Sequence, residues 1–247
     1  RGEAASLSFF SQGQYRNGMV IRIQGYGYQK GFGGHFHNDN AVAVLRDIPG
    51  IVIASPARPA DAAAMLRTCV AAAAVDGTVC VFLEPIALYV TADLHEPGDG
   101  QWLAPYPAPN HWPATHVPIG APRVHGDGRD LVLVTWANGL YMSLRVARRL
   151  AAEGIACRVL DLRWLAPLPT DAIVEQARVT GRVLVVDETR SSGGVGEGIV
   201  AALVAAGFDG RIARVASHDT FIPLGDAALA VMLDEDQIAE AARELAR

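Results

Sequence analysis

No run of apolar residues in this 247-residue chain approaches the ~20 that a bilayer-spanning helix needs, so no membrane span is expected. Basic charge is in deficit. The 21 Lys and Arg against 26 Asp and Glu leave a net charge of −5, and a nucleic-acid groove needs a basic face to neutralise phosphates. Cysteine is sparse. Cys69, Cys80 and Cys157 share no CxxC spacing and each sits in an apolar stretch. They read as buried free thiols in a reducing compartment, with a metal site or redox pair as the alternative. The first ten residues have too little apolar length for a secretory leader, so the chain is expected in the cytoplasm. It starts just before a strand-like segment with no lead-in, as if sequence preceded it. No GxSxG elbow and no P-loop lysine occur.

What is present is a large apolar fraction, 51% of residues, arranged as strands that alternate with helices. Met19 to Ile23 reads as a strand, followed by a glycine-rich stretch from Gly25 to Gly34 and then by HFHNDN, His35 to Asn40. Asn38, Asp39 or Asn40 is placed to cap a helix through Val42, Val44 and Leu45, which Pro49-Gly50 stops. Ile51 to Ala54 is a strand, Pro59 and Asp61 open a helix, and Val79 to Leu83 is a strand again. Strands apolar on both faces between helices predict a parallel sheet covered on both sides.

Residues 94–121 differ, with prolines at 97, 105, 107, 109, 113 and 118 and little periodicity. This is an extended linker. It divides the chain into an N-terminal part, residues 1–93, and a C-terminal domain, residues 122–247. The second part repeats the α/β rhythm. Strands are expected at Leu131 to Trp136, Cys157 to Leu162, Val183 to Val186 and Ile212 to Val215. Helices are expected at Met142 to Ala151, at Asp171 to Ala177 behind Thr170, at Ile199 to Ala206 after a turn spanning Ser191 to Gly198, and at Asp236 to Ala246 behind Asp234. The expected fold class is α/β with a doubly wound, mostly parallel sheet.

His37 is the most suggestive residue. It follows a glycine-rich loop and precedes a helix start, and imidazole suits proton transfer or a hydrogen bond to a carboxylate near neutral pH. A structural or surface histidine is the competing reading. His35, two residues earlier, makes a His-x-His metal pair conceivable, but no third ligand is evident. GDG occurs at Gly98 to Gly100 and at Gly126 to Gly128. Neither copy has an asparagine at the spacing a magnesium–diphosphate site requires, so both read as turns. SSGGVGEG, Ser191 to Gly198, resembles a phosphate-cradling loop without being GxGxxG and reads as a tight structural turn. Asp187-Glu188 ends a strand where open α/β sheets place ligands; an interface or capping role competes.

Three segments carry a family resemblance. GGHFHNDNAVAVLRDIPGIVIASPARPADAAAMLRTC, VFLEPIALY (Val81 to Tyr89) and VLDLRWLAPLPTDAIVEQARVTGRVLVVDE (Val159 to Glu188) are joined by GGVGEGI and ASHDTFIPL (Ala216 to Leu224). Together they resemble the β subunits of 2-oxo acid dehydrogenase E1 components, in the transketolase-like superfamily. The chain departs from many members in reading HNDN from His37, where a histidine followed by SQ is common.

The resemblance implies that residues 1–93 are a partial pyrimidine-binding domain lacking its N-terminal half and that residues 122–247 are a transketolase C-terminal domain. It implies a complete enzyme, of the pyruvate dehydrogenase kind, that oxidatively decarboxylates a 2-oxo acid on thiamine diphosphate with Mg²⁺ and passes the acyl group to a lipoyl acyltransferase, E2. It places His37 at the active site, steering the 2-oxo acid carboxylate or the incoming lipoyl group. It assigns no cofactor-binding residue and no metal ligand here. The activating glutamate and the diphosphate-binding domain belong to an E1 α subunit or a fused upstream half. This chain alone is therefore expected to be inactive, to bind no thiamine diphosphate, and to assemble as a homodimer or heterotetramer. A transketolase or deoxyxylulose-phosphate synthase fragment, or a non-catalytic dimerisation and docking module, are the alternatives.

Overall fold

The computed structural model describes residues 2–27, 34–36 and 39–247. In chain order the elements are α1 (Leu7–Phe10), β1 (Met19–Gly25), α2 (Ala43–Arg46), β2 (Ile51–Ala54), α3 (Pro59–Asp76), β3 (Val79–Pro85), β4 (Arg123–His125), β5 (Leu131–Thr135), α4 (Ala137–Ala152), β6 (Cys157–Asp161), β7 (Trp164–Ala166), α5 (Thr170–Thr180), β8 (Arg182–Arg190), α6 (Val195–Ala205), β9 (Arg211–Ser217) and α7 (Glu235–Ala246). They build one sheet ordered β1-β3-β2-β7 and another ordered β4-β6-β5-β8-β9. β1, β2 and β3 are mutually parallel, as are β6, β5, β8 and β9; β7 and β4 run antiparallel at the sheet edges.

Alternation along the strands feeds three packed layers. Ile53, Val81 and Leu83 of the first sheet share a core with Val132, Val134, Val183 and Val185 of the second, under α5 and α6. Leu131, Leu133, Leu184 and Val186 point the other way, against α4 and α7. Ala54, Cys80 and Phe82 meet α3 through Ala64, Met65 and Cys69. The central strands are thus apolar on both faces because both faces are covered. Pro59 sits in the first turn of α3, where its missing N–H costs nothing, and Gly77 ends the helix at φ 71°.

The proline-rich stretch packs instead of hanging free. Trp102 is fully buried against α4-side residues, and Val117 packs in the α3 layer. β7, from the second half of the sequence, crosses to the edge of the first sheet. Arg163, at φ 59° between β6 and β7, fastens the crossing. Its guanidinium donates to Asp61 of α3 at 3.0 Å, to the Ala121 carbonyl at 2.9 Å and to the Pro122 carbonyl at 2.8 Å.

Several local expectations are corrected. α2 is a single turn without a side-chain cap, because Asp39 and Asn40 are engaged elsewhere; Asn38 lies outside the described residues. Thr170 is the first residue of α5 and does not cap it. α6 starts at Val195, so the turn is only Ser191 to Gly194. α4 starts at Ala137, five residues before Met142. Asp234 does cap α7, in a capping box with Gln237.

Candidate functional site

His37 lies outside the described residues, and the chain on either side of its loop meets the C-terminal domain. Gly27, just after β1, lies so close to the loop following β9 that a Cβ there would stand 2.2 Å from Ile222 Cδ1. His35 donates its backbone N–H to the Ile222 carbonyl at 3.1 Å, and its ring packs at a tilt of 41° against Phe221, centroids 4.9 Å apart. Asp39 accepts from Arg190 Nη2, at 2.7 Å to one carboxylate oxygen and 3.0 Å to the other. Arg190 Nε donates to the Thr220 carbonyl at 3.0 Å. Asn40 is buried; its Oδ1 accepts from Gly27 N at 3.1 Å, and its Nδ2 donates to the Glu188 carbonyl at 2.6 Å. The structure therefore brings His35, Asp39 and Asn40 to the end of β8 and the loop after β9, far away in sequence. Phe36, Phe221 and Leu224 are exposed along this seam.

Asp187 and Glu188, at the end of β8, are occupied by helix termini. Asp187 Oδ2 accepts from Gly196 N at 2.6 Å, at the start of α6, and Oδ1 accepts from Thr189 N at 2.8 Å. A Cβ on Gly196 would lie 2.7 Å from that Asp187 oxygen. The glycines of SSGGVGEG thus admit the chain's own carboxylate to the place a phosphate would take. Glu188 does the same for α4: its carboxylate accepts from Asn138 N at 3.0 Å and Asn138 Nδ2 at 2.7 Å. Burial pushes the Glu188 carboxyl up to about 8, against the donors that favour its ionised form.

The first GDG is likewise closed on itself. Asp99 accepts from the backbone N–H groups of Leu94, His95, Glu96 and Gln101, and Asp93 from those of Gly98 and Gly100. In the second, the carbonyls of Asp127 and Gly128 accept from Arg158. Among the described residues no cluster of three or more His, Cys, Asp or Glu is arranged to hold a metal ion. The GDG turn and both helix termini that suit an anion are filled from within.

At the carboxyl ends of β1, β2 and β3 lies a groove of about 460 Å³ between Pro56, Pro59, Leu66, Glu84 and Tyr89. Glu84 accepts from Arg22 and from Tyr89. Burial works against the Glu84 anion, but these two partners hold its carboxyl below the usual range. The groove thus presents apolar walls and a self-satisfied ion pair.

Residues 120–242 match the family model for the transketolase C-terminal domain. The chain is a β-like member of the transketolase family. Its relatives include the pyruvate dehydrogenase E1 component subunit beta of Bacillus subtilis, 26% identical over 99% of this chain and 70% of that protein. They also include the mitochondrial 2-oxoisovalerate dehydrogenase subunit beta 2 of Arabidopsis thaliana, 30% identical over 90% of this chain but only 58% of that protein. In fold the chain resembles a split-gene transketolase solved as an inactive β4 tetramer, with a TM-score of 0.69 and 22% identity over 98% of this chain and 73% of that one. Among the described residues no helix is long and apolar enough to cross a membrane.

Sequence reasoning missed Arg190. It ends a strand like many surface arginines, and its partner Asp39 is 151 positions away. Only the departure HNDN hinted that the residues after His37 bind something other than a helix terminus.

Proposed function

We propose that this chain is the β portion of a 2-oxo acid dehydrogenase E1 component, acting in the cytoplasm with an E1 α subunit or fused upstream half and with a lipoyl acyltransferase. The observation that carries this reading is near-complete alignment with proteins named as β subunits of pyruvate and 2-oxoisovalerate dehydrogenases. The partner would hold thiamine diphosphate and Mg²⁺; in support, the GDG turn and the starts of α4 and α6 in this chain are filled by its own carboxylates. On its own the chain associates without activity, the behaviour named for the transketolase β chain of the same fold.

His37 is the residue this chain contributes to chemistry. Its sequence neighbours His35, Asp39 and Asn40 are fixed to the C-terminal domain, which supports a loop held for a purpose. An imidazole there would donate a hydrogen bond to the carboxylate of a 2-oxo acid, or a proton to the sulfur released when the incoming lipoyl disulfide opens. The test is kcat/KM of the complete enzyme with the 2-oxo acid for His37→Ala and His35→Ala, beside their melting curves. His37→Ala is expected to lose about 10²-fold or more in rate with the melting temperature nearly unchanged, and His35→Ala to lose less. Near-normal turnover in His37→Ala, or loss only through unfolding, returns the histidine to a structural role.

A further inference from the structure

The polar contacts around the stem of the histidine loop converge on the C-terminal domain from two sides. Asp39 and Arg190 form an ion pair that is three-quarters buried, 24% exposed on the arginine and 23% on the aspartate. Arg190 is committed by its second nitrogen to the Thr220 carbonyl, in the same loop whose next residues meet His35 through Phe221 and Ile222. Asn40 is 3% exposed and has one amide end on Gly27, before the loop, and the other on Glu188, two residues before Arg190. Glu188 in turn caps α4. The stem is thus closed on Gly27 after β1 and tied across to β8 and to the loop after β9. A bidentate or multiply committed arginine loses little freedom per bond formed, which suits it to such a joint.

We propose that Arg190 is a positioning residue: with Asp39 and Asn40 it clamps the stem of the His37 loop onto the C-terminal domain and sets the loop for its partner-side chemistry. The inference rests on the reading of His37 given above. It assigns Arg190 no contact with substrate.

Two backbone amides report on the clamp without any catalysis. Gly27 N–H is held by Asn40, and His35 N–H by the Ile222 carbonyl. In Asp39→Asn and Arg190→Lys, hydrogen exchange at Gly27 and His35 is expected to quicken about 10-fold, as local opening becomes easier, while the amides of β5 keep their protection. The charge exchange Asp39→Arg with Arg190→Asp is expected to restore protection that either reversal alone removes. Unchanged exchange at both amides in Asp39→Asn and Arg190→Lys overturns the clamp, as does a charge exchange that rescues nothing. In the complete enzyme Asp39→Asn is expected to lower kcat several-fold with KM for the 2-oxo acid little changed. Faster exchange with unaltered kcat would overturn the positioning role of Arg190, whereas the reading of His37 stands or falls separately on His37→Ala.

Discussion

Asp187 and Glu188 stand side by side at the carboxyl end of a central strand, both fully buried. Position alone suggests ligands, yet each is spent on the free N–H groups of a helix, α6 for Asp187 and α4 for Glu188. Glu188 carries a consequence for pH. Burial raises its carboxyl from 4.5 to about 8. A group whose folded value is raised contributes stability that is full below the unfolded value, near 4.5, and is lost as pH rises through the folded one. Over that window the loss is at most about 5 kcal/mol. Wild-type protein should therefore lose stability between pH 5 and pH 8 relative to Glu188→Gln, by urea midpoints read at intervals across the window. Asp161, pushed up to about 7, and Asp187 act in the same direction in both proteins, so the difference isolates Glu188. Parallel curves for the two proteins contradict the argument. None of this was visible in the dipeptide itself, because the donors at Asn138 lie 50 residues earlier.

Elements that bury both faces were legible, and elements defined by a distant partner were not. β3, β5 and β8 announce themselves as continuous apolar runs because helices cover them on both sides. The start of α4 was set five residues late: its cap is Glu188, not a neighbour in sequence. β7 is three residues long and exists because the edge of β2 receives it. The proline-rich stretch was read as an extended linker; it packs, with Trp102 and Val117 buried. Arg163 is the fastening at this scale. It is 7% exposed and holds Asp61, itself 1% exposed, together with two linker carbonyls. Breaking a buried pair costs up to about 3–5 kcal/mol; Arg123 also reaches Asp61, at 3.2 Å, so Arg163→Leu should cost less than that. Arg163→Leu combined with Asp61→Leu should cost less than the two single changes added. A chemical-denaturation double-mutant cycle measures this; strict additivity would show that the pair contributes nothing as a pair.

At the scale of the whole molecule, the two sheets share one core through Ile53, Val81 and Leu83 on one side and Val132, Val134 and Val185 on the other. Gly27, His35, Asp39 and Asn40, described on either side of His37, meet β8 and the loop after β9. The α/β class and the transketolase-like character were legible in the sequence. The seam beside His37 was not, since His35, Asp39 and Asn40 reach β8 and the loop after β9 only in three dimensions. Among the described residues, the first GDG turn and the starts of α4 and α6 are occupied by the chain's own carboxylates. The measurement that bears most directly on the account is calorimetric titration of the isolated chain with thiamine diphosphate in the presence of Mg²⁺. The account predicts no saturable binding in the micromolar range to the chain alone. Micromolar binding to the lone chain would mean that it carries a diphosphate site of its own and would contradict its reading as one side of a shared active site.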